Sequence, residues 1–256
     1  MIVRAAGESA EIVTQVDHAV VSGILAEAWA ATGPDALAPR ASIITAARLH
    51  DIGWRHWEAA PRLNPDSGRP ANFLDVQIDE HLRLYRLGID EVAEIDPWAG
   101  MLVAMHAAGI YTGRYGTQPA LLLSRAPAVQ ELVDAFVAEQ EARYEAARVA
   151  LGVTEDELWR AYVLLQVFDR LSLRLCQGDP AGPGPMEIAL PGERILHVTP
   201  DEGCDRLDPW PFAADEVVVG VPTRVIALDG LAGDDGLAAA LAQAAVEERT
   251  AVLRTV

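Results

Sequence analysis

Six ionisable side chains lie on apolar helical stripes, and this limits the fold more than any other feature of the sequence. His18 is followed by Val21 and Leu25 at three and seven residues. His50 follows Ile43 and Ala47 at seven and three residues, and Asp51 follows Ile44 at seven. His81 lies between Ile78 and Tyr85, His106 follows Leu102 and Val103, and Asp169 lies between Leu165 and Leu173. At 3.6 residues per turn, each of these polar side chains faces the core. A carboxylate in a core costs several kcal/mol unless it is paired or holds a metal. The stripes offer no positive partner. The arrangement that satisfies all six at once is four imidazoles and two carboxylates converging on metal. The helices that carry them must therefore pack around one point.

The texture of the chain places those helices. Ile2–Arg4 and Glu11–Thr14 read as two short strands around a Gly7-Glu8-Ser9 turn. Helical spacing begins with Asp17 as a candidate N-cap. It resumes from Pro34 to Leu49 and at about 76–88, 97–108, 125–151 and 154–177. Residues 53–75 read as a 23-residue loop, held in place by Trp54, Trp57, Phe73 and Leu74. Gln177–Pro185 holds three glycines and three prolines, which marks a boundary. Beyond it, 188–190, 195–198, 217–219 and 225–228 read as strands, 234–246 as a helix and 250–255 as a last strand. The expected architecture is mainly α. It has a helical metal-binding domain over 1–178 and a small β-rich subdomain with one helix over 179–256, which the N-terminal hairpin can join.

Charge and cysteine usage exclude several functions. Lys plus Arg is 20 against 38 Asp plus Glu, a net charge of −18, and there is no lysine. So acidic a chain is unsuited to a phosphate backbone, so no nucleic-acid polymer is expected as partner. No apolar run is long enough for a membrane span, and the start lacks a signal-peptide core. Cys176 and Cys204 form no CxxC pair. A reducing cytoplasm is the expected compartment. Phosphate-loop, dinucleotide-turn, nucleophile-elbow and HExxH motifs are absent.

The order His18 … His50-Asp51 … His81 … His106 … Asp169 resembles the HD-domain superfamily of metal-dependent phosphohydrolases over about residues 15–176. The stretches HDIGWRHW, NPDSGRPANFLD, MHAAGIY, FDRLSL and DPWPF resemble, more narrowly, a branch known as a domain of unknown function. The superfamily resemblance implies an HD-type helical bundle with two divalent transition-metal ions (Fe, Mn, Co, Ni or Zn). His18, His50, Asp51 and Asp169 would hold the first. Asp51 would bridge to a second, held by His81 and His106. Asp51 and Asp169 would be the catalytic carboxylates. Where such enzymes often carry a lysine three residues after the aspartate, this chain has Trp54.

Anion binding then falls to arginines, and Arg69, Asn72 and Arg114 are the candidates, with Trp54 and Tyr111 lining the pocket. The expected function is hydrolysis of a small anionic phosphate ester or anhydride, including nucleotide-like ones. Two alternatives use the same ligand set: a di-iron oxygenase of the HD type, and a catalytically silent ligand-sensing module. A homo-oligomer is compatible with the sequence.

Overall fold

The computed structural model describes residues 1–113, 126–178 and 184–256. The chain opens with a hairpin, β1 (Ile2–Ala6) and β2 (Ser9–Val13). Helices α1 (Gln15–Ala28), α2 (Arg40–Leu49), α3 (Arg55–Glu58), α4 (Ile78–Ile95), α5 (Pro97–Thr112), α6 (Pro127–Leu151) and α7 (Glu155–Gln177) follow. Strands β3 (Met186–Leu190), β4 (Arg194–Asp201), β5 (Cys204–Asp208) and β6 (Glu216–Ala227), helix α8 (Gly233–Gln243) and strand β7 (Glu247–Thr255) complete the chain. No helix among the described residues is long and apolar enough to cross a membrane.

The strands overturn the mainly α expectation. The seven strands form one curled mixed sheet in the order β1-β2-β6-β7-β5-β4-β3, a large part of the molecule rather than a small appendage. Every neighbouring pair is antiparallel except β5 and β7. The N-terminal hairpin enters this sheet through β2, with Ser9 opposite Ala227 and Ile12 opposite Arg224.

Two local effects hid the sheet. Strand β6 is one twelve-residue strand, where the sequence pattern gives two pieces, 217–219 and 225–228. Pro222 pairs only with Glu248 on β7, because the β2 pairing ends at Arg224, so its missing N–H leaves no ladder bond unmade on the other side. Strand β5, CDRLD, is mostly charged, and only Asp205 and Leu207 point inward.

The helix boundaries also shift for physical reasons. Thr14, not Asp17, caps α1: its hydroxyl accepts the Asp17 N–H at 2.9 Å. The segment from Pro34 does not run as one helix. It makes a 3₁₀ turn at Gly33–Asp35 and extends to Pro39, and only then does α2 begin, because a residue before proline is steered away from the α region. The 53–75 loop holds α3 and 3₁₀ turns at Ile52–Trp54 and Phe73–Asp75. The glycine- and proline-rich boundary lies partly on 179–183, outside the described residues.

One buried cluster joins the helices to the inner face of the sheet. It includes Leu25, Leu102 and Phe168 from helices and Leu196, Val198, Val219 and Leu253 from strands. Helix α5 is buried nearly all round, and a helix apolar on every side belongs at the centre of a fold. A second cluster packs Trp54, Trp57 and Leu84 against Ile12, Ile226 and Leu237, beneath the hairpin and α8.

Candidate metal centre

The sequence brings four helices and one helix end to the same point. Glu58 Oε1 accepts the Gln15 N–H at 2.6 Å and fixes the start of α1, one turn before His18. His50 closes α2, and Asp51 leaves the helix with φ −111°. The turn after Asp51 is pressed onto α4 at Gly53, where a Cβ would sit 2.0 Å from the Leu84 carbonyl oxygen. This contact lets α4 bring His81 and Tyr85 up to Asp51. Helix α5 supplies His106, and α7 supplies Asp169 and Ser172.

The hydrogen bonds around His18 and His50 assign their protons. Ser172 Oγ donates its hydrogen to the Asp169 carbonyl oxygen at 2.9 Å, so Ser172 Oγ is left to accept from His18 Nδ1, also at 2.9 Å. His50 Nδ1 donates to the Ala47 carbonyl oxygen at 2.9 Å. Both neutral rings then turn bare Nε2 lone pairs inward. These atoms lie 3.2 Å from each other, and they lie 3.1 Å and 3.6 Å from Asp169 Oδ1. Asp51 Oδ2 lies 3.6 Å from His50 Nε2 and 3.9 Å from His18 Nε2. Four acceptors this close repel one another unless a positive charge stands among them.

A metal-free centre would recruit a proton for that role. Burial works against a charged His50, but the Asp51 and Asp169 carboxylates outweigh it and push its pKa up to about 9. Burial opposes ionisation of Asp169 as well, yet the His18 and His50 rings beside it, with the charge on His50, hold it well below the usual carboxylate range. The other side of the site is different. Burial, only partly offset by Asp169 and Asp51, pushes His106 down to about 4. Burial, offset in part by Asp51, pushes His81 down to about 4. Those two rings are neutral and can offer lone pairs.

The structure brings together five of the six expected ligands. His18, His50 and Asp169 form one group and His50, Asp51 and His106 another, with ligand atoms within 4.8 Å of one another in each. His106 is buried, and its Nδ1 has no hydrogen-bond partner among the described residues. His81 falls outside both groups. It is half-buried at the edge of the cluster, bonded through Nδ1 to Tyr111 Oη, with its ring 5.1 Å from Trp54 and 4.9 Å from Tyr85.

The expected substrate contacts scatter. Trp54 is fully buried and forms a wall against His81, and Tyr111 holds His81. Arg69 is exposed in the loop. Asn72 is committed to capping the Phe73–Asp75 turn. Arg114 lies outside the described residues. His56 and His197 are exposed, and His197 faces Glu187 at 3.4 Å.

Three residues that sequence reasoning passed over support the ligands. Gln15 Nε2 donates to Asp51 Oδ2 at 3.3 Å, Tyr85 Oη donates to Asp51 Oδ1 at 3.2 Å, and Ser172 holds His18. Burial, reinforced by Asp51, keeps the Tyr85 hydroxyl well above its ordinary pKa, so it remains a donor. Each lies one helical turn from a ligand on the same helix, and that spacing could have revealed them.

The donor set fits an ion: mixed imidazole and carboxylate, with outer partners fixing the rings. No curated protein and no solved structure matches the chain. A family model described as "Protein of unknown function (DUF3891)" matches residues 1–227, from the hairpin to the end of β6, and the chain belongs to that family.

Proposed function

We propose that this chain is a metal-dependent hydrolase of a phosphate ester or anhydride, related to the HD-domain phosphohydrolases. The observation that carries the reading is the meeting of His18 Nε2, His50 Nε2 and Asp169 Oδ1 with the ring N–H groups already used elsewhere. In this reading His18, His50, Asp51 and Asp169 would hold one divalent transition-metal ion, and His106, with His81 at the edge, would be available to a second. Bound ions of this kind make water more acidic and offset charge on a phosphoryl group.

The chain's own groups divide the remaining work. Asp51 has both oxygens engaged, by Gln15 and Tyr85, and serves as a holder. Asp169 Oδ2 takes no hydrogen bond from the described residues and is the oxygen left to hold a water proton. Trp54, Tyr85 and Tyr111 shield the His81 side from bulk water. The net charge of −18 favours a small anionic substrate over a nucleic-acid polymer. Both cysteines are free thiols, and with that chemistry we place the protein in the reducing cytoplasm.

Elemental analysis of untagged protein, followed by a panel of phosphate esters and anhydrides, tests this. The expected result is Mn, Co, Ni or Zn bound at the site and release of phosphate from at least one panel member. Two irons per chain with a mixed-valence resonance, and no phosphate released, would favour the oxygenase chemistry instead. Protein that takes up no metal after reconstitution would sink both.

A further inference from the structure

We infer that Arg170 holds the anionic oxygen group of the substrate, taking a phosphate in two-point fashion beside Asp169. The inference rests on the hydrolase reading and gives it a cation next to Asp169.

Arginines in this chain are normally committed. Arg174 grips Asp205, Arg86 grips Glu139 and Arg55 grips Glu91. Among the described residues, the side chains of Arg62, Arg69 and Arg170 make no hydrogen bond and no ion pair. Arg62 and Arg69 are exposed, where water satisfies them. Arg170 is half-buried. Burial withdraws water from its guanidinium, and only the charge of Asp169 answers it. A scarcity of carboxylates cannot explain this, since acidic residues outnumber basic ones by 38 to 20.

The position in α7 explains why the neighbours do not pair. Adjacent residues on a helix point about 100° apart, since about 3.6 residues make a turn. Asp169 turns inward, with Oδ1 3.1 Å from His18 Nε2, and Arg170, the next residue of the helix, is half-buried. The pair therefore presents an unbonded carboxylate oxygen, Asp169 Oδ2, and an unpaired guanidinium from the same turn. A planar guanidinium matches the oxygen edge of a phosphate group, which a partly desolvated site strengthens.

The test is calorimetric titration of inorganic phosphate into the intact, Mn²⁺-loaded chain, comparing wild type with Arg170→Gln. Mn²⁺ is also titrated alone into both. The expected result is phosphate binding about ten- to a hundredfold weaker in Arg170→Gln, the range for a lost charged hydrogen bond, with Mn²⁺ binding unchanged. Arg170→Lys should recover part of the loss, having the charge without the fork. Arg160→Gln, on the exposed face of the same helix, should bind phosphate like wild type. Equal phosphate affinity in wild type and Arg170→Gln overturns the inference, as does a Mn²⁺-loaded wild type that binds no phosphate. Should Arg170→Gln not fold, Arg170→Lys decides by the same comparison. Failure of the hydrolase reading shows separately, as a wild type that takes up no Mn²⁺, Fe²⁺, Co²⁺, Ni²⁺ or Zn²⁺.

Discussion

The Nε2 atoms of His18 and His50 face each other across 3.2 Å, and each ring donates its other N–H to a fixed acceptor. Asp169 Oδ1 completes the set at 3.1 Å from His18. An Asp169→Asn variant separates the two ways of relieving this arrangement. The amide can donate a hydrogen to a bare ring nitrogen, but it carries no charge for an ion. Metal affinity should fall by more than about a hundredfold, beyond the loss typical of an outer partner. The melting temperature measured in chelator should hold or rise. A variant that keeps its metal would refute the assignment of Asp169 as a ligand.

Proton competition gives the pH dependence. In the metal-free centre His50 keeps its proton up to about pH 9, because the Asp51 and Asp169 carboxylates outweigh burial. Below that value an ion must displace the proton, so uptake releases it. Apparent metal affinity should therefore rise with pH, about tenfold per unit for one proton released, and level off above His50's own pKa. Dissociation constants measured at several pH values, with proton release followed in weak buffer, check the slope. A flat profile would mean that His50 is not displaced.

Gln15 and Tyr85 each hold one oxygen of Asp51, at 3.3 and 3.2 Å. Tyr85→Phe and Gln15→Leu remove those donors without touching a ligand. Each should weaken metal binding by about ten- to a hundredfold, as losses of outer partners do. A Co²⁺-substituted sample should also show an altered visible spectrum, which a purely structural change elsewhere would leave alone.

The convergence of the buried histidines and aspartates was legible in the sequence because a polar residue on an apolar stripe has few places to go. His18, His50, Asp51, His106 and Asp169 needed only helical spacing to be placed in the core. His81 was less certain ground: its stripe is real, but Tyr111 takes its Nδ1, and it stands at the edge. The sheet was hard to read because its pairing is long-range. Nothing in SAEIV announces a partner more than two hundred residues away in β6. Strand β5 hides because its inward Asp205 looks like a solvent residue until Arg174 is seen to neutralise it. Arg170 was invisible for the opposite reason, since an unpaired cation differs from a surface one only in its burial.

Gly53 is set by a contact rather than by a backbone angle. A Cβ there would meet the Leu84 carbonyl oxygen at 2.0 Å and the Gly88 nitrogen at 2.9 Å, and backbone cannot move aside cheaply. Gly53→Ala should destabilise by about 3 kcal/mol or more, at the upper end of overpacking. For a chain of this size that lowers the melting temperature by roughly 6–12 °C. Because the same contact sets Asp51 against α4, metal affinity should fall as well. Gly7→Ala, where a Cβ meets nothing within 4 Å, should leave metal affinity unchanged.

Helix α7 carries Asp169 and Ser172 into the centre, and it is tied to the sheet by Arg174. The guanidinium meets Asp205 on β5 through two bonds of 2.7 Å and gives a third, 2.8 Å, to the Gly184 carbonyl oxygen. Both partners are buried. Removing one partner strands the other charge in the core, so Asp205→Ala should cost about 3–5 kcal/mol. At this chain length that corresponds to a melting temperature roughly 6–20 °C lower. Replacing both partners with apolar residues of similar volume, Arg174→Met with Asp205→Leu, should restore much of the stability, because a desolvated pair gains little over good packing. The double variant should still load metal at the wild-type stoichiometry, since neither residue touches the centre. A double variant as unstable as Asp205→Ala would show that the pair contributes net stability, and one that folds but loses metal would show that it also aligns α7 for Asp169.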